Sequence, residues 1–380
     1  MKILHVVPTY IPAWRYGGTI RSVHGLCRAL AARGHEVDVF TTNVDGSADS
    51  NVALGRPIDM DGVRVWYHPS HIGRRLYWSP KMGHRLKSHI GEYSVAHLHS
   101  VFLWPTTAAA GCARRARIPY IISPRGMMVK ELFRRKSGLL KVAWTTCFEK
   151  RNLEGAAAIH VTSELEAADI RAFRLRLPRI VVVPNGTDIP VPGVAVRIAT
   201  ERPFVLFMGR LNWKKGIDRL ILAMRDVPGT DLVLAGNDEE GYREQLERIA
   251  QDAGVSMRIR YAGQVSGEQK ADLLRSAAVL ALPSHSENFG NVVLEAMAEG
   301  CPVVISPQVG LAQTVRETGC GEVSDSEPQT LARTLSHLLA DPEGRRRMGE
   351  AGRRTAKERF SWDKIAEQME REYRELVLKK

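Results

Sequence analysis

The chain has 380 residues, 44% hydrophobic and 25% charged, which excludes a disordered or fibrous polymer and suits two globular domains better than one. Lys and Arg number 54 against 42 Asp and Glu, and the resulting +12 favours anionic partners such as nucleotides, phosphorylated lipids, membrane surfaces or nucleic acid, while serving solubility equally well. The five cysteines form no Cys-x-x-Cys pair and no Cys/His cluster, and no segment reaches the ~20 apolar residues of a membrane span, so buried reduced thiols in a cytoplasmic protein are expected.

Short apolar runs alternate with helical patterns along nearly the whole chain. The first predicted strand is Ile3–Val7, too short for the apolar core of a signal peptide and stopped by Pro8. A loop with Gly17 and Gly18 follows, then a helix from about Thr19 to Arg33 with Ile20, Val23, Leu26, Cys27 and Leu30 on one face. Glycines before a helix N-terminus let backbone N–H groups approach a pyrophosphate, although a Gly-Gly pair is also an ordinary turn. Further strands are predicted at Glu36–Thr41, Val63–Tyr67, Val95–His99, Tyr120–Ser123, Ala157–Thr162 and Ile180–Val183. Pro184 to Pro203 has linker composition, containing Pro190, Pro192 and Gly193 besides its two ends.

The pattern then restarts, with strands at Phe204–Met208, Asp231–Ala235, Ile259–Ala262, Val279–Leu282 and Pro302–Ile305. Such alternation predicts an α/β protein of two doubly wound, mainly parallel sheets, with ligands at the carboxyl ends of the strands and an interdomain cleft between them. The expected divisions are an N-terminal domain over 1–188, a C-terminal domain over 189–360, and a last helix over 361–380 that crosses back, with Trp362, Ile365, Met369, Tyr373 and Leu376 on one stripe.

Two stretches of the second half carry chemistry. Gly209-Arg210 to Lys215-Gly216 follows a strand and opens a helix; a guanidinium can grip phosphate oxygens by two bonds and an ammonium adds a compact charge, so Arg210 and Lys215 can neutralise a diphosphate. From Pro283 to Gly300 a strand ends, a loop turns and a helix begins near Asn291. Glu287 lies in that loop and Glu295 within the helix, too deep for helix capping, so one carboxylate can face a sugar while the other accepts from ribose hydroxyls. Backbone N–H groups from Asn288 to Val292 add donors at the positive helix end.

With two glutamates separated by seven residues, the Gly-Arg-x5-Gly turn at 209–216, Pro184-Asn185-Gly186 and the Gly17-Gly18 loop, the chain resembles the family-4 retaining glycosyltransferases of the GT-B fold over essentially its whole length. The resemblance implies two Rossmann-like domains and a UDP- or GDP-sugar donor. Glu295 would bind the ribose; Glu287 would lie at the anomeric centre with Phe289, Gly290 and Asn291 on sugar hydroxyls or phosphate; Arg210 and Lys215 would hold the diphosphate; Gly18 would approach the same phosphates; Val265 would lie beside the base. His99 would reach donor sugar or acceptor, with His97 its core-bound neighbour. Arg125, in Ser123-Pro124-Arg125-Gly126, stands where a His is common and suggests an anionic acceptor or a phosphate contact. Glu164 would cap a helix. The only Asp-x-Asp pair, Asp59-Met60-Asp61, falls at a turn before Val63, so no metal and no cofactor are expected.

The reaction expected is transfer of a sugar to a glycan or lipid-linked acceptor with retention, in cell-surface or extracellular polysaccharide assembly. The basic amphipathic stretch Lys130–Arg151 and Arg74-Arg75-Leu76-Tyr77-Trp78 read either as an anionic-membrane surface or as helices packed on their own sheet. A nucleotide-sugar 2-epimerase of the same fold and a non-enzymatic regulatory subunit are the alternatives; nothing resembles a nucleic-acid module.

Overall fold

The structure, a computed structural model, describes residues 1–129, 144, 148–190, 201–238 and 241–378. Most of the basic stretch Lys130–Arg151, together with Pro192 and Gly193 of the linker, lies outside the described residues. Two compact units result: Met1–Gly186 joined by Trp362–Lys380, and Thr187–Ser361.

The first unit contains β1 (Lys2–Val6), β2 (Glu36–Thr42), β3 (Val44–Asp45), β4 (Ala48–Asp49), β5 (Ile58–Met60), β6 (Val63–His68), β7 (Val95–His99), β8 (Tyr120–Ser123), β9 (Ala158–Val161) and β10 (Ile180–Val182). Its eight-stranded sheet has the order β10-β9-β8-β7-β1-β2-β6-β5. Every pairing in it is parallel except β5 with β6. Strands covered on both faces read as continuous apolar runs, which is why Ile3, Leu4, Val6 and Val95, Ala96, Leu98 are all buried. The chain leaves β1 toward β2 on one side and returns to β7 on the other, so the topological switch point lies between β1 and β7.

The final helix, Trp362–Leu378, belongs to this unit. Ile365, Met369, Tyr373 and Leu376 join Val23, Leu26, Val37 and Val39 in one core. Close approach demands glycine: a Cβ on Gly25 would fall 2.2 Å, and one on Gly186 2.5 Å, from the Trp362 indole.

The second unit contains β11 (Phe204–Met208), β12 (Asp231–Ala235), β13 (Ile259–Gly263), β14 (Val279–Leu282), β15 (Val303–Ile305) and β16 (Gly321–Val323). The six strands run in the order β13-β12-β11-β14-β15-β16, with all pairings parallel. Its switch point lies between β11 and β14, the two strands whose following loops carry the sequence motifs. Both sheets are Rossmann-like, as the alternation of strands and helices predicts. The short strands β5 and β16 were not evident from sequence; Asp59 and Met60 lie on β5, and Asp61 turns the chain at φ 55°.

Candidate functional site

At the carboxyl edge of the second sheet, backbone geometry clamps two loops together. Gly209 and Gly216 bracket the loop after β11, and a Cβ on Gly216 (φ 63°) would lie 2.1 Å from the Pro283 carbonyl oxygen. Only glycine lets these segments touch there. The His285 N–H donates to Lys214 O at 2.7 Å, tying the loop after β14 to the loop after β11. Asn212 Oδ1 accepts from the Lys214 N–H at 2.8 Å and fixes the short helical turn Trp213–Lys215.

This clamp sets Lys215 against Glu287, and the two form an ion pair with side chains 18% and 20% exposed. Glu287 is held by its own backbone: its N–H donates to Gln308 O and its carbonyl accepts from Gly310 N, both at 3.0 Å. The loop backbone at Glu287 is therefore held independently of the ion pair, and the side chain stays partly exposed. Gly290 (φ 93°) precedes the helix Asn291–Glu299, whose first turn contains no acidic side chain and no side-chain cap, so its N–H groups meet no fixed negative charge of their own turn. Arg210 stands exposed immediately after Gly209. Asn288, Asn291 and Val292 are half-buried, and so is Val265, two residues past β13, packed against the second core.

Glu295 is not idle: it pairs with Lys270 of the helix Gly267–Ser276. Sequence reasoning missed Lys270. Its only signal was a lone lysine in the first turn and a half of a predicted helix, which is the usual place for solvated charge. The Phe289 ring is 4% exposed and part of the second core, so only its backbone could meet a ligand.

In the first unit Gly17 takes the positive φ (71°) that ends the loop after β1, and Gly18 is the first residue of the helix Gly18–Ala32. The permissive position is thus Gly17. His99 also requires correction: its side chain is fully buried, and both ring nitrogens are taken. Arg125 Nε and Nη2 reach His99 Nδ1 at 3.3 and 3.2 Å, while His99 Nε2 and His5 Nδ1 are 2.9 Å apart. Burial, with the Arg125 charge next, pushes the His99 pKa well down, so the ring is neutral. His97, the expected core histidine, bonds Tyr373 Oη at 2.6 Å and Ser123 Oγ at 2.9 Å.

His5, His97 and His99 place ring nitrogens within 4.8 Å of one another, a spacing that could in principle hold a metal. The donor set does not fit one. The ring nitrogens of His97 and His99 already hold hydrogen-bond partners, and the Arg125 guanidinium at His99 opposes a second cation.

Strained backbone gathers at the same edge: Ser100 (φ 75°) and Phe102 (φ 62°) follow β7, and Arg125 (φ 56°) follows β8. Glu149, which sequence reading passed over, accepts from the Phe102 N–H at 2.9 Å and from Trp144 Nε1 at 3.2 Å, and burial raises its carboxyl to about 7. The helix Glu164–Arg171 is capped by Ser163, which accepts from the Glu166 N–H; Glu164, expected to cap, is exposed.

Comparison with known proteins agrees with this geometry. Residues 194–355 match the family model of glycosyl transferases group 1, and residues 17–186 match the glycosyl transferase 4-like domain. A D-inositol 3-phosphate glycosyltransferase from Xylanimonas cellulosilytica is 32% identical, covering 93% of this chain and 90% of that protein. The solved sucrose-phosphate synthase from Thermosynechococcus elongatus superposes with a TM-score of 0.80 at 24% identity over 100% of both chains. The Anabaena protein HepE, solved in complex with UDP and glucose, superposes with a TM-score of 0.76 at 20% identity, covering 99% of this chain and 100% of that one.

Proposed function

The chain belongs to the group 1 glycosyltransferases, and from that premise we propose that it is a retaining, metal-independent enzyme that moves a sugar from a UDP- or GDP-sugar to a hydroxyl of a glycan or lipid-linked acceptor, in cell-surface or extracellular polysaccharide assembly. The observation that carries this is the Lys215–Glu287 pair at the switch point of the second sheet. Breaking a sugar–phosphate bond puts positive charge on the anomeric carbon and negative charge on the departing diphosphate. Lys215 and Arg210 are the cations for the second charge; Glu287, released from Lys215 as phosphate takes its place, faces the sugar. Lys270 then holds Glu295 in one rotamer for the ribose, as the second carboxylate of the motif. The departing phosphate oxygen takes the acceptor proton, which leaves the face of the sugar unchanged and needs no carboxylate nucleophile.

The donor test is direct binding of UDP- and GDP-sugars by calorimetry in excess chelator. Wild-type affinity should be unaffected by chelator, and Lys215→Ala should weaken the nucleoside diphosphate by about 1.5–3 kcal/mol, the range for a hydrogen bond to a charged group. Affinity that vanishes with chelator and returns with a divalent ion rejects metal independence, and an unchanged Lys215→Ala affinity removes that lysine from the site.

A peripheral position on an anionic membrane rests on the loop His71–Ser79. Arg74 clamps it to the β3–β4 hairpin through Asp49 and the carbonyls of Gly46, Ala48 and Ser70. Held in this way, Ile72, Leu76 and Trp78 stay 75%, 40% and 39% exposed beside the exposed Arg75. In flotation with vesicles, the protein should rise with anionic but not neutral lipid, and Ile72→Ser with Trp78→Ser should abolish this. Absence of flotation with either lipid ends the membrane assignment. Four cysteines, Cys27, Cys112, Cys301 and Cys320, are buried free thiols, as suits a reducing compartment.

A further inference from the structure

Glu149 is fully buried, and its two carboxyl oxygens meet unequal surroundings. Oε2 accepts both the Phe102 N–H at 2.9 Å and the Trp144 Nε1–H at 3.2 Å. Oε1 is buried with no hydrogen-bond partner. With both lone pairs of Oε2 taken by donors, the proton of the neutral acid sits on Oε1. Ionisation leaves a bare charged oxygen in an apolar niche, which costs far more than an unmatched hydroxyl. Burial accordingly raises the carboxyl to about 7, against the pull of those two bonds.

The groups around Glu149 supply no counter-charge. Residues 100–103 include no titratable side chain, and His99 before them is a neutral imidazole. On the helix Trp104–Ala116, Arg114 turns to Tyr120 Oη at 3.0 Å and Asn152 Oδ1 at 3.2 Å, and burial pushes the Cys112 thiol up. Tyr120 donates its own proton to Asn152 O at 2.8 Å. Lys150 and Arg151, next along the chain, are exposed. Among the described residues, the neighbours that favour its charged form are the Phe102 and Trp144 donors, not a cation.

What the carboxyl holds is a strained loop. Ser100 (φ 75°) and Phe102 (φ 62°) both take left-handed backbone, which a bulky side chain such as Phe rarely adopts. Such conformations persist only where the surroundings over-determine them. Ser100 is tied on both sides: its N–H donates to Ser123 O at 2.8 Å, and its carbonyl accepts from Thr106 Oγ1 at 2.9 Å. Phe102 is tied through its N–H to Glu149. Glu149 reaches it from a π-helical turn ahead of the helix Lys150–Glu154, a local widening common at functional sites. The loop follows β7, one of the two strands flanking the switch point, and so belongs to the edge where such sheets bind ligands.

We propose that Glu149 is a positioning residue: in its neutral form it locks the loop after β7 in the shape that ligand binding at this edge requires, and ionisation releases the loop. The lock stands on the geometry of the first unit; its service to turnover rests on the transfer reaction proposed above. Once ionised, the carboxyl must draw in water or turn out of its niche, and either movement weakens its hold on the Phe102 N–H. Because the folded-state value is raised, the lock is complete on the acid side and is lost as the pH rises through about 7.

The test follows the Phe102 amide and Trp144 indole N–H signals of the whole protein by NMR from pH 6 to 8.5, with Trp144→Phe to assign the indole. Both should move together with one midpoint near 7. Glu149→Gln, which keeps an acceptor oxygen but cannot ionise, should hold both signals level across that range. In parallel, turnover of UDP- and GDP-sugars is measured against pH. With only the neutral form competent, wild-type kcat should fall about tenfold per pH unit above the midpoint, and Glu149→Gln should flatten that limb. Glu149→Leu, which keeps bulk without an acceptor, should lower kcat over the whole range, so rescue by Gln and not by Leu separates the hydrogen bond from packing. Signals that do not titrate in wild type, or that titrate equally in Glu149→Gln, overturn the lock. A midpoint in the signals with no matching limb in kcat overturns the positioning role. Should Glu149→Leu fail to fold by circular dichroism, the Gln comparison decides alone. A protein that turns over no UDP- or GDP-sugar counts against the transfer reaction, while the N–H titration still decides the lock.

Discussion

Glu287→Ala is expected to lower the transfer rate on the order of 10²–10³-fold, the usual loss when one preorganised polar group is removed from a transition state, while the affinity for the nucleoside diphosphate holds or rises. The rise follows from the ion pair. Lys215 is matched by Glu287, so a diphosphate must displace that carboxylate to reach the ammonium. Removing the carboxylate removes the competitor. The backbone of the loop does not depend on the side chain, because Gln308 O and Gly310 N hold Glu287 through its own amide and carbonyl. The variant therefore separates binding from chemistry: a loss of kcat with nucleotide Kd equal or lower places Glu287 at the sugar. A kcat within twofold of wild type removes it from the reaction. Glu287→Gln keeps the size and one acceptor but not the charge, so a rate midway between the two assigns part of the effect to the carboxylate charge.

The second sheet and its motifs were legible because its central strands β11, β14 and β15 are unbroken apolar runs and each motif starts where a run stops. Phe204–Met208, Asp231–Ala235 and Val279–Leu282 are strands with the bounds expected from sequence. What the sequence did not carry is pairing at a distance. Nothing in the residues around Lys270 announces that its ammonium meets Glu295, twenty-odd positions later on another helix. Nor does an alternating His97-Leu98-His99 tell which histidine is satisfied within the core, because the deciding partners, Tyr373, Ser123, His5 and Arg125, come from four other segments. Phe289 shows the converse failure: a residue inside a ligand-binding motif serves the core, while its neighbours Glu287 and Gly290 shape the loop. Three-residue strands such as β5 and β16 are too short for a period to register.

The first unit should lose stability in acid as its buried histidines take up protons. Burial lowers His5 and His160 to about 3 and His68 to about 4, and lowers His97 and His99 well below 6.5. A folded-state pKa below the unfolded one means that the unfolded chain binds more protons, so stability is complete above 6.5 and falls as the pH drops toward the folded values. Each such histidine contributes a slope of about 1.4 kcal/mol per pH unit. Glu149 acts in the opposite sense: raised to about 7, it is stabilised in its neutral form as the pH falls from there to 4.5, and offsets one histidine. The net loss is on the order of 5 kcal/mol per pH unit below 6.5, against a total stability of about 5–15 kcal/mol. The transition is therefore expected near pH 3.5–5.5, on the order of one to three units below the histidine reference. Glu92 and Glu370, held at about 2 by Lys2 and Arg33, lose their contribution only below about 4.5 and cannot start it. Physically, a second proton on His97 turns its Nδ1 from an acceptor of the Tyr373 hydroxyl into a donor, so that hydroxyl must reverse, and it buries a charge beside His99, His160 and Arg125. Circular dichroism across pH 7.5 to 3.5, with hydrogen exchange to locate the loss, should show β1, β7 and Trp362–Leu378 exchanging together while β11–β15 stay protected. Full retention of the first unit's protection down to pH 3.5 would refute the acid lability argued from its buried histidines.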